Sequence, residues 1–506
     1  MSYVIAYDFG TGGIKASIYD VAGSCLASHF ASYETHYPAT GFHEQSPEMW
    51  WQATVEATKA LLNDWNGNKS LIKAIGISGH SLAVVPVDEN GDLLREYGII
   101  WSDSRPTTQI DEFFAKTDRD DWYMKTGNGF PPGLYSVFKI MWLRDNESDT
   151  FDKIHKVLGS KDYINFRMTN VMATDYSYAS GSGVWDLKKW CYDDELIKAA
   201  SLDKNIFPDA FSSDYVIGNL TEAAAEELLL HKDVKVVAGG VDNSCMALGA
   251  RAFRNGDVYN SMGSSSWIAV TDKKPLLNLE SKPYVFAHVV PEKFTSAIGV
   301  FSTGSSLRWV KELLFSHYDE KCVDGKNPFA VMVDAAEKVP AGANGVFFLP
   351  TLAGGSSLDY CSEIRGSFAN VDLKNNFADM SRATLEGIAM AQANALKALE
   401  NLTVLKDEIL AVGGGARDDY FMEIFATLYQ KDIVRTQVGQ QAAALGAAAL
   451  ALVGIKEWDN YDKIAEIHQE VARQSINEEI REFYHQHLTK FNKLNKHLSD
   501  WAVEVN

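Results

Sequence analysis

Positive charge is scarce in this chain: 47 Lys and Arg stand against 67 Asp and Glu over 506 residues, a formal net charge of −20. Nucleic acids and anionic membranes repel a chain of that sign unless a basic patch is concentrated locally, and the sequence contains none. Cysteine is sparse too. Cys25, Cys191, Cys245, Cys322 and Cys361 are odd in number, scattered and without a C-x-x-C pair. Neither a disulfide framework nor a zinc site is indicated, and reduced thiols in the cytoplasm fit. Long apolar runs are missing. The stretch 442–455 is too short and too rich in Gly and Ala to span a bilayer, and the apolar segment 3–7 lacks the basic flank of a secretory signal. There is no G-x-x-x-x-G-K-[ST] phosphate loop. The opening glycine turn is not a dinucleotide fingerprint either, because Lys15 stands where a glycine is needed and a strand follows. An anionic ligand must then be held by backbone N–H groups and a metal ion.

What is present is material for two cores. A chain of 506 residues with 46% hydrophobic and 23% charged residues exceeds the size at which one core keeps growing. Residues 3–20 read as two strands rich in β-branched and aromatic residues, joined by the turn Gly10-Thr11-Gly12-Gly13 with Asp8 at its root. Residues 257–271 repeat the plan around Gly263 and Ser264. One hairpin opens each half, so we expect two similar domains facing each other across a cleft, each lending a small-residue turn to one ligand. Helices are predicted over 47–65, about 107–114 and 378–401, and strands over 72–78 and 408–412, the last running into Gly413-Gly414-Gly415. After Asp462 a polar helical tail is expected on the outside of the second domain.

Two carboxylates stand out. Asp8 ends an apolar strand, where an acid is costly unless solvated, hydrogen-bonded or facing a cation. It suits Mg²⁺, which keeps several waters and few protein ligands. Asp242 follows the strand and paired glycines of 235–240 and starts a helix; it reads either as a helix cap or as a general base for an attacking hydroxyl. Lys15 on the return strand is either solvated or in reach of a phosphate.

The chain resembles the FGGY carbohydrate kinases along nearly its whole length. The resemblance rests on Asp8-Phe9-Gly10-Thr11, Ile77-Ser78-Gly79-His80, residues 100–105, 139–143, Gly239-Gly240-Val241-Asp242, 262–265, 348–350, 384–387 and 412–416, in the family's order. It implies an α/β protein of two actin-like (ribonuclease H-like) ATPase domains, 1–246 binding sugar and 247–506 binding nucleotide, with a catalytic cleft between them and a hinge near 245–256. It further implies ATP and Mg²⁺, with Asp242 as catalytic base and Asp8 orienting the metal. Phosphates would meet Gly10, Thr11, Gly12, Lys15, Gly263, Ser264 and Gly304. The adenosine would meet Gly414, Gly415 and Asp419, and the sugar His80, Ser81, Trp101, Asp103 and Asn243. Residues 41–47, 161–163 and Trp185-Asp186 are most similar to xylulokinases, which makes D-xylulose the lead acceptor. Ribulose, fuculose, erythritol, glycerol and gluconate are the alternatives. Two departures bear on that choice: Ser81-Leu82 replaces the usual Met-His, and 354–359 replaces Gly-Glu-Arg-Thr-Pro. A homodimer is left open, as are two other classes, an actin-like ATPase outside metabolism and a catalytically silent sugar sensor.

Overall fold

The computed structural model describes residues 2–315 and 327–505; Cys322 lies outside them. Seven strands form the first sheet: β1 (Tyr3–Gly10), β2 (Gly13–Asp20), β3 (Cys25–Ser32), β4 (Ile72–Gly79), β5 (Val216–Asn219), β6 (Lys235–Val237) and β7 (Gly240–Val241), in the order β5-β6-β4-β1-β2-β3, with β7 also pairing to β4. The second sheet holds β8 (Val258–Met262), β9 (Ser266–Asp272), β10 (Tyr284–Ala287), β11 (Phe294–Val300), β12 (Glu408–Val412), β13 (Asp432–Thr436) and β14 (Glu470–Gln474), in the order β10-β11-β9-β8-β12-β13-β14.

The duplication expected from the hairpins is present. In each sheet a hairpin, β1/β2 or β8/β9, carries a third antiparallel strand on one side and a parallel strand, β4 or β12, on the other. The central strands are buried along most of their length, with Val4 to Tyr7 of β1 at zero exposure. Sheets covered on both faces need such near-continuous apolar runs. Each sheet has its own core, one around Ile5, Trp50 and Ile75 and the other around Ile268, Leu385 and Phe425.

The predicted helix 47–65 is Pro47–Trp65, entered at Pro47 and stopped by Asn66 at φ 55°. The helix of 378–401 is Phe377–Glu400, capped by Asn376 with Asp379. The tail differs from expectation. Before the helix Arg481–Val505 it contains β14, the antiparallel edge of the second sheet. An edge strand that is half solvated carries polar residues, and Glu470-Val471-Ala472-Arg473-Gln474 therefore did not look like a strand.

Two helices lock the halves together. The helix Asp242–Gly249 runs through position 246, where the sequence suggested a boundary, and crosses the helix Ala442–Gly454. A Cβ on Gly249 would lie 1.7 Å from the Ala442 carbonyl oxygen, and one on Gly446 would lie 2.0 Å from that of Cys245. Only glycine allows this approach. No helix of the described residues is long and apolar enough to cross a membrane.

Candidate active site

The sheet register brings the two carboxylates together. In β1, Asp8 pairs with Ser78 of β4, and Gly240 of β7 pairs with the same Ser78 from the other side. Asp242 follows two residues later, at the first turn of its helix, so both acids emerge at one end of the sheet. Ends of parallel strands in α/β sheets are where ligands bind. Asp8 is 27% exposed, with Lys15 Nζ 3.8 Å from its Oδ2 and the Ser78 hydroxyl 3.4 Å from its Oδ1. Burial raises its pKa above the ordinary value, and Lys15 and Ser78 only partly oppose this. Asp242 is pushed up to about 7, by burial first and then by the repulsion of Asp8. The Asn243 N–H donates to Asp242 Oδ1 at 2.8 Å. Two carboxyls raised by burial, one of them further by its neighbour, form a place that a cation would relieve.

The first turn fits a phosphate cradle. A Cβ on Gly12 would meet nothing within 4 Å, and one on Gly10 only the Gly13 oxygen at 3.6 Å, so the space above the turn is open. The turn is braced from behind. Gln45 donates to the Thr11 carbonyl at 2.7 Å, and the Trp101 indole N–H donates to Thr11 Oγ1 at 2.9 Å. Trp101, 40% exposed, thus stands beside the phosphate turn as well as on the acceptor side. Lys15 faces Asp8 directly across the hairpin and also donates to the Gln440 carbonyl of the other half at 3.2 Å.

The second turn is stapled to a helix start. Gly304 N–H donates to the Gly263 carbonyl at 3.1 Å, and Thr303 and Ser305 N–H both donate to the Ser264 carbonyl at 3.0 Å. This packs the N-terminus of the helix Gly304–Phe315 against Gly263 and Ser264, with these N–H groups, and that of Gly263 on the Ser265 carbonyl, spent inside the fold. From there a cavity of about 600 Å³ extends between Gly304, Gly414, Gly415 and Gln440 on its polar side and Leu307, Phe329 and Phe421 on its apolar side. That volume and lining suit a nucleoside. Asp419 is not among the residues lining it. Arg435 and Gln474 hold that carboxylate, while Asp418, which caps the helix Asp419–Tyr429, lines the cavity instead.

On the acceptor side the predicted residues divide. Asp103 is fully buried: its carboxylate takes two bonds from Arg105 Nε at 3.0 Å, one from Arg105 NH2 at 2.7 Å and one from the His43 N–H at 2.7 Å. Arg105 also binds Glu44 at 2.7 Å. With its lone pairs so occupied, Asp103 supports the loop of Trp101 and does not present itself to a sugar. His80 is 2% exposed, stacked on Phe9 at 5.4 Å and edged by Trp50 at 5.6 Å. Neither of its ring nitrogens has an aligned hydrogen-bond partner. Burial lowers its pKa to about 3 despite the neighbouring Ser81 backbone, so the imidazole is neutral. Ser81 is half-buried, and Leu82 after it adopts φ 62°, with its carbonyl accepting from the buried Lys139 at 3.0 Å. Lys139 also donates to the Ile100 carbonyl at 2.8 Å and the Trp101 carbonyl at 3.3 Å, tying both loops to one buried amine whose pKa burial lowers to about 7.

Aromatic residues that sequence reasoning passed over complete the floor. Trp267 Nε1 donates to the Tyr259 hydroxyl at 2.9 Å, and that hydroxyl donates to the Asn243 carbonyl at 3.0 Å. In a strand such rings read as core. Their signal was position, since Trp267 follows directly on the turn 263–266. Among the described residues no group of three or more His, Cys, Asp or Glu forms a metal cluster.

Comparison with known proteins identifies the family of the chain. Residues 3–249 match the N-terminal domain of the FGGY family of carbohydrate kinases, and residues 258–455 match its C-terminal domain. The xylulose kinase of Staphylococcus xylosus is 29% identical over 467 residues, covering 92% of this chain and 94% of that protein. The gluconokinase of Bacillus subtilis is 24% identical over 507 residues, covering 100% and 98%. Among solved structures, the ligand-bound xylulose kinase from Lactobacillus acidophilus superposes with a TM-score of 0.92 at 23% identity, covering all of both chains, a likeness of fold.

Proposed function

Because the chain belongs to the FGGY family of carbohydrate kinases and is a sugar kinase, we propose that it transfers the γ-phosphoryl group of ATP to a terminal hydroxyl of a ketopentose, D-xylulose. The observation that carries this reading is the placement of Asp242. Its half-buried carboxylate opens a helix beside Asp8, at the sheet end that carries the first glycine turn, whose Gly10 and Gly12 face open space.

The acceptor hydroxyl must lose its proton as its bond to phosphorus forms, and Asp242 takes it. Without metal, burial and Asp8 hold this carboxyl near 7, and a cation at Asp8 would move it toward the ionised form that accepts the proton. The N–H groups of the Gly10–Gly12 turn, with the N–H and hydroxyl of Ser264 on the second turn, bind phosphate oxygens and align the donor. Mg²⁺ would be held by Asp8 together with phosphate oxygens and water, and would supply charge neutralisation at the transferring group. The cavity lined by Gly414, Gly415 and Phe421 takes the adenosine. Trp101, Ser81 and Asn243 bound the acceptor, and the unpartnered imidazole of His80 offers it a hydrogen bond. Closure of the two halves excludes water, which otherwise competes as acceptor.

The preference for D-xylulose rests on the xylulose kinases that align over most of the chain. Gluconate is the second acceptor to consider, because the B. subtilis gluconokinase aligns over its whole length. The test is ADP release over D-xylulose, D-ribulose, L-fuculose, erythritol, glycerol and D-gluconate. D-xylulose is expected to give the highest kcat/KM. A higher value for gluconate or a polyol reassigns the acceptor, and ADP release that no acceptor stimulates overturns the kinase reading.

A further inference from the structure

Beneath the acceptor loop lies a charged cluster that takes no part in the transfer described above. Lys161 is fully buried, and its Nζ lies 2.5 Å from Asp162 Oδ1, 3.0 Å from Asp175 Oδ1 and 3.1 Å from the Ala238 carbonyl oxygen. The other oxygen of Asp175 accepts from Ser177 N–H at 2.9 Å, Ser177 Oγ at 2.5 Å and Ser213 Oγ at 2.7 Å. Ser177 Oγ in turn accepts the Val241 N–H at 2.9 Å. Its one proton goes to Asp175, so the hydroxyl is polarised along a single line from Val241 to the carboxylate. Val241 immediately precedes Asp242. Three residues earlier on the same segment, the Ala238 carbonyl takes the Lys161 bond and a second one from Asn165 Nδ2 at 2.9 Å.

The cluster reaches the acceptor loop as well. Ser160, next to Lys161, donates its hydroxyl to the His80 carbonyl at 2.8 Å. The Tyr178 hydroxyl, next to Ser177, accepts from Ser160 N–H at 3.1 Å and from Ala83 N–H at 3.2 Å. Lys161 Nζ sits 5.2 Å from the centre of the Tyr178 ring. Packing leaves no slack, because a Cβ on Gly79 would lie 2.7 Å from Lys161 Cβ and one on Gly159 2.2 Å from the Tyr178 ring.

Stability alone does not account for these charges. A buried ion pair is often no more stable than apolar residues of the same volume, because desolvation offsets the attraction. What the cluster provides is direction: beyond the bonds to its own backbone, it reaches Ala238 and Val241 on the segment that carries Asp242, and His80 and Ala83 on the acceptor loop. We propose that Lys161, Asp175 and Ser177 are positioning residues, which hold the segment from Ala238 to Val241 so that the Asp242 carboxylate meets the acceptor hydroxyl. This rests on the reading of Asp242 as the base.

The test removes one link without removing a charge. Ser177→Ala loses the contact to Val241 but leaves the Lys161–Asp175 pair in place. Assayed with ATP and the acceptor of highest turnover, D-xylulose by expectation, it should lower kcat and kcat/KM together by at least about tenfold, toward the roughly 100-fold that a misplacement of about 1 Å costs. The ATP KM and the melting temperature should stay near wild type. Ser177→Thr, which keeps the hydroxyl, should return turnover to within about threefold of wild type. Asn165→Ala removes the second bond to Ala238 and should reproduce a smaller kcat loss at unchanged ATP KM, which keeps the test valid if Ser177→Ala folds poorly. Wild-type kcat in both Ser177→Ala and Asn165→Ala overturns the proposal, as does a loss that tracks the melting temperature and that threonine does not restore. Asp242→Asn in the same assay separates the two readings. If it stays active, the base assignment fails, whereas an inactive Asp242→Asn beside a fully active Ser177→Ala defeats the positioning role alone.

Discussion

Replacing Asp242 by Asn tests the chemistry and the electrostatics of the cleft in one variant. The amide keeps the side chain's shape and an acceptor for the Asn243 N–H, but it cannot take a proton. A positioned general base is worth about 10²- to 10⁴-fold in rate, or about 3–5 kcal/mol of barrier. Sugar-dependent ADP release should therefore fall by at least about 100-fold while nucleotide binding persists. Stability should move the other way. The carboxyl sits at about 7 in the fold against an ordinary 3.8, so between those values the folded chain holds this proton more tightly than the unfolded one. The carboxyl's contribution to stability is then most favourable below about pH 4, falls as the pH rises, and reaches its full disadvantage above about pH 7. The difference amounts to about 4 kcal/mol at 1.36 kcal/mol per pH unit, and partial exposure to the cleft brings a working figure nearer about 2 kcal/mol. Asn never ionises and escapes this cost. Thermal unfolding without nucleotide or metal should show D242N melting above wild type at pH 8, with the gain shrinking as the pH is lowered toward 4. Metal is left out because a cation beside Asp8 would itself lower the Asp242 pKa. Turnover above about a tenth of wild type would refute the base, and a melting difference independent of pH would refute the electrostatic reasoning.

Three further substitutions probe the other parts. His80→Phe preserves the stack on Phe9 and the edge contact with Trp50 but removes both ring nitrogens; the acceptor KM should rise at least about tenfold with the ATP KM unchanged, and an unchanged acceptor KM assigns the ring to packing. Gly304→Ala would put a methyl 2.4 Å from the Gly263 carbonyl oxygen. A shift of the turn worth about 1.4 kcal/mol raises the ATP KM about tenfold, which steady-state kinetics at saturating acceptor would show. Arg105→Met leaves Asp103 buried without its cation, while Glu44 keeps Arg95 at 2.9 Å; it should cost about 3–5 kcal/mol in urea unfolding, and a loss under 1 kcal/mol would show that the pair is not the loop's anchor.

Much of the scaffold was legible because local chemistry and fold agree there. The strands around Asp8 and Gly263 are β-branched runs broken by glycine, and Pro47 and Asn66 mark both ends of their helix. What failed to show were choices made by distant partners. The segment Trp101-Ser102-Asp103-Ser104-Arg105 looks like an acid offered to a ligand, until Glu44 and His43 arrive from some 60 residues away and Arg105 folds back on Asp103. Asp418 and Asp419 are chemically equivalent in sequence; capping assigns the first to the cavity, and Arg435 captures the second. Phe329 and Gln440 line the nucleoside cavity from segments with no motif of their own. The Lys161–Asp175–Ser177 cluster was invisible for the same reason, since its targets lie more than 60 residues further on.

The two halves share one plan, and the difference between their functions can be located on it. In each, a hairpin lies beside a parallel strand whose exit feeds a loop. β4 leaves at Gly79-His80 toward the proposed acceptor side, and β12 leaves at Gly413-Gly414 toward the cavity proposed for the nucleoside. The hairpin positions correspond as well. Asp8 stands two residues before Gly10, whose pairing with Gly13 closes the first turn, and Asn260 stands two residues before Met262, whose pairing with Ser266 closes the second. Asn260 is 1% exposed and spends its amide inside the fold, on Tyr429 at 2.8 Å and Ser266 at 3.1 Å. It offers nothing to a cation, and it carries no charge that would have to be desolvated. The carboxylate appears only in the half that also supplies Asp242. Placing both acids at the end of one sheet fixes their separation by register, while the second turn brings no charge. On the reading proposed above, closure varies the grip on the phosphates without altering the relation of Asp8 to Asp242.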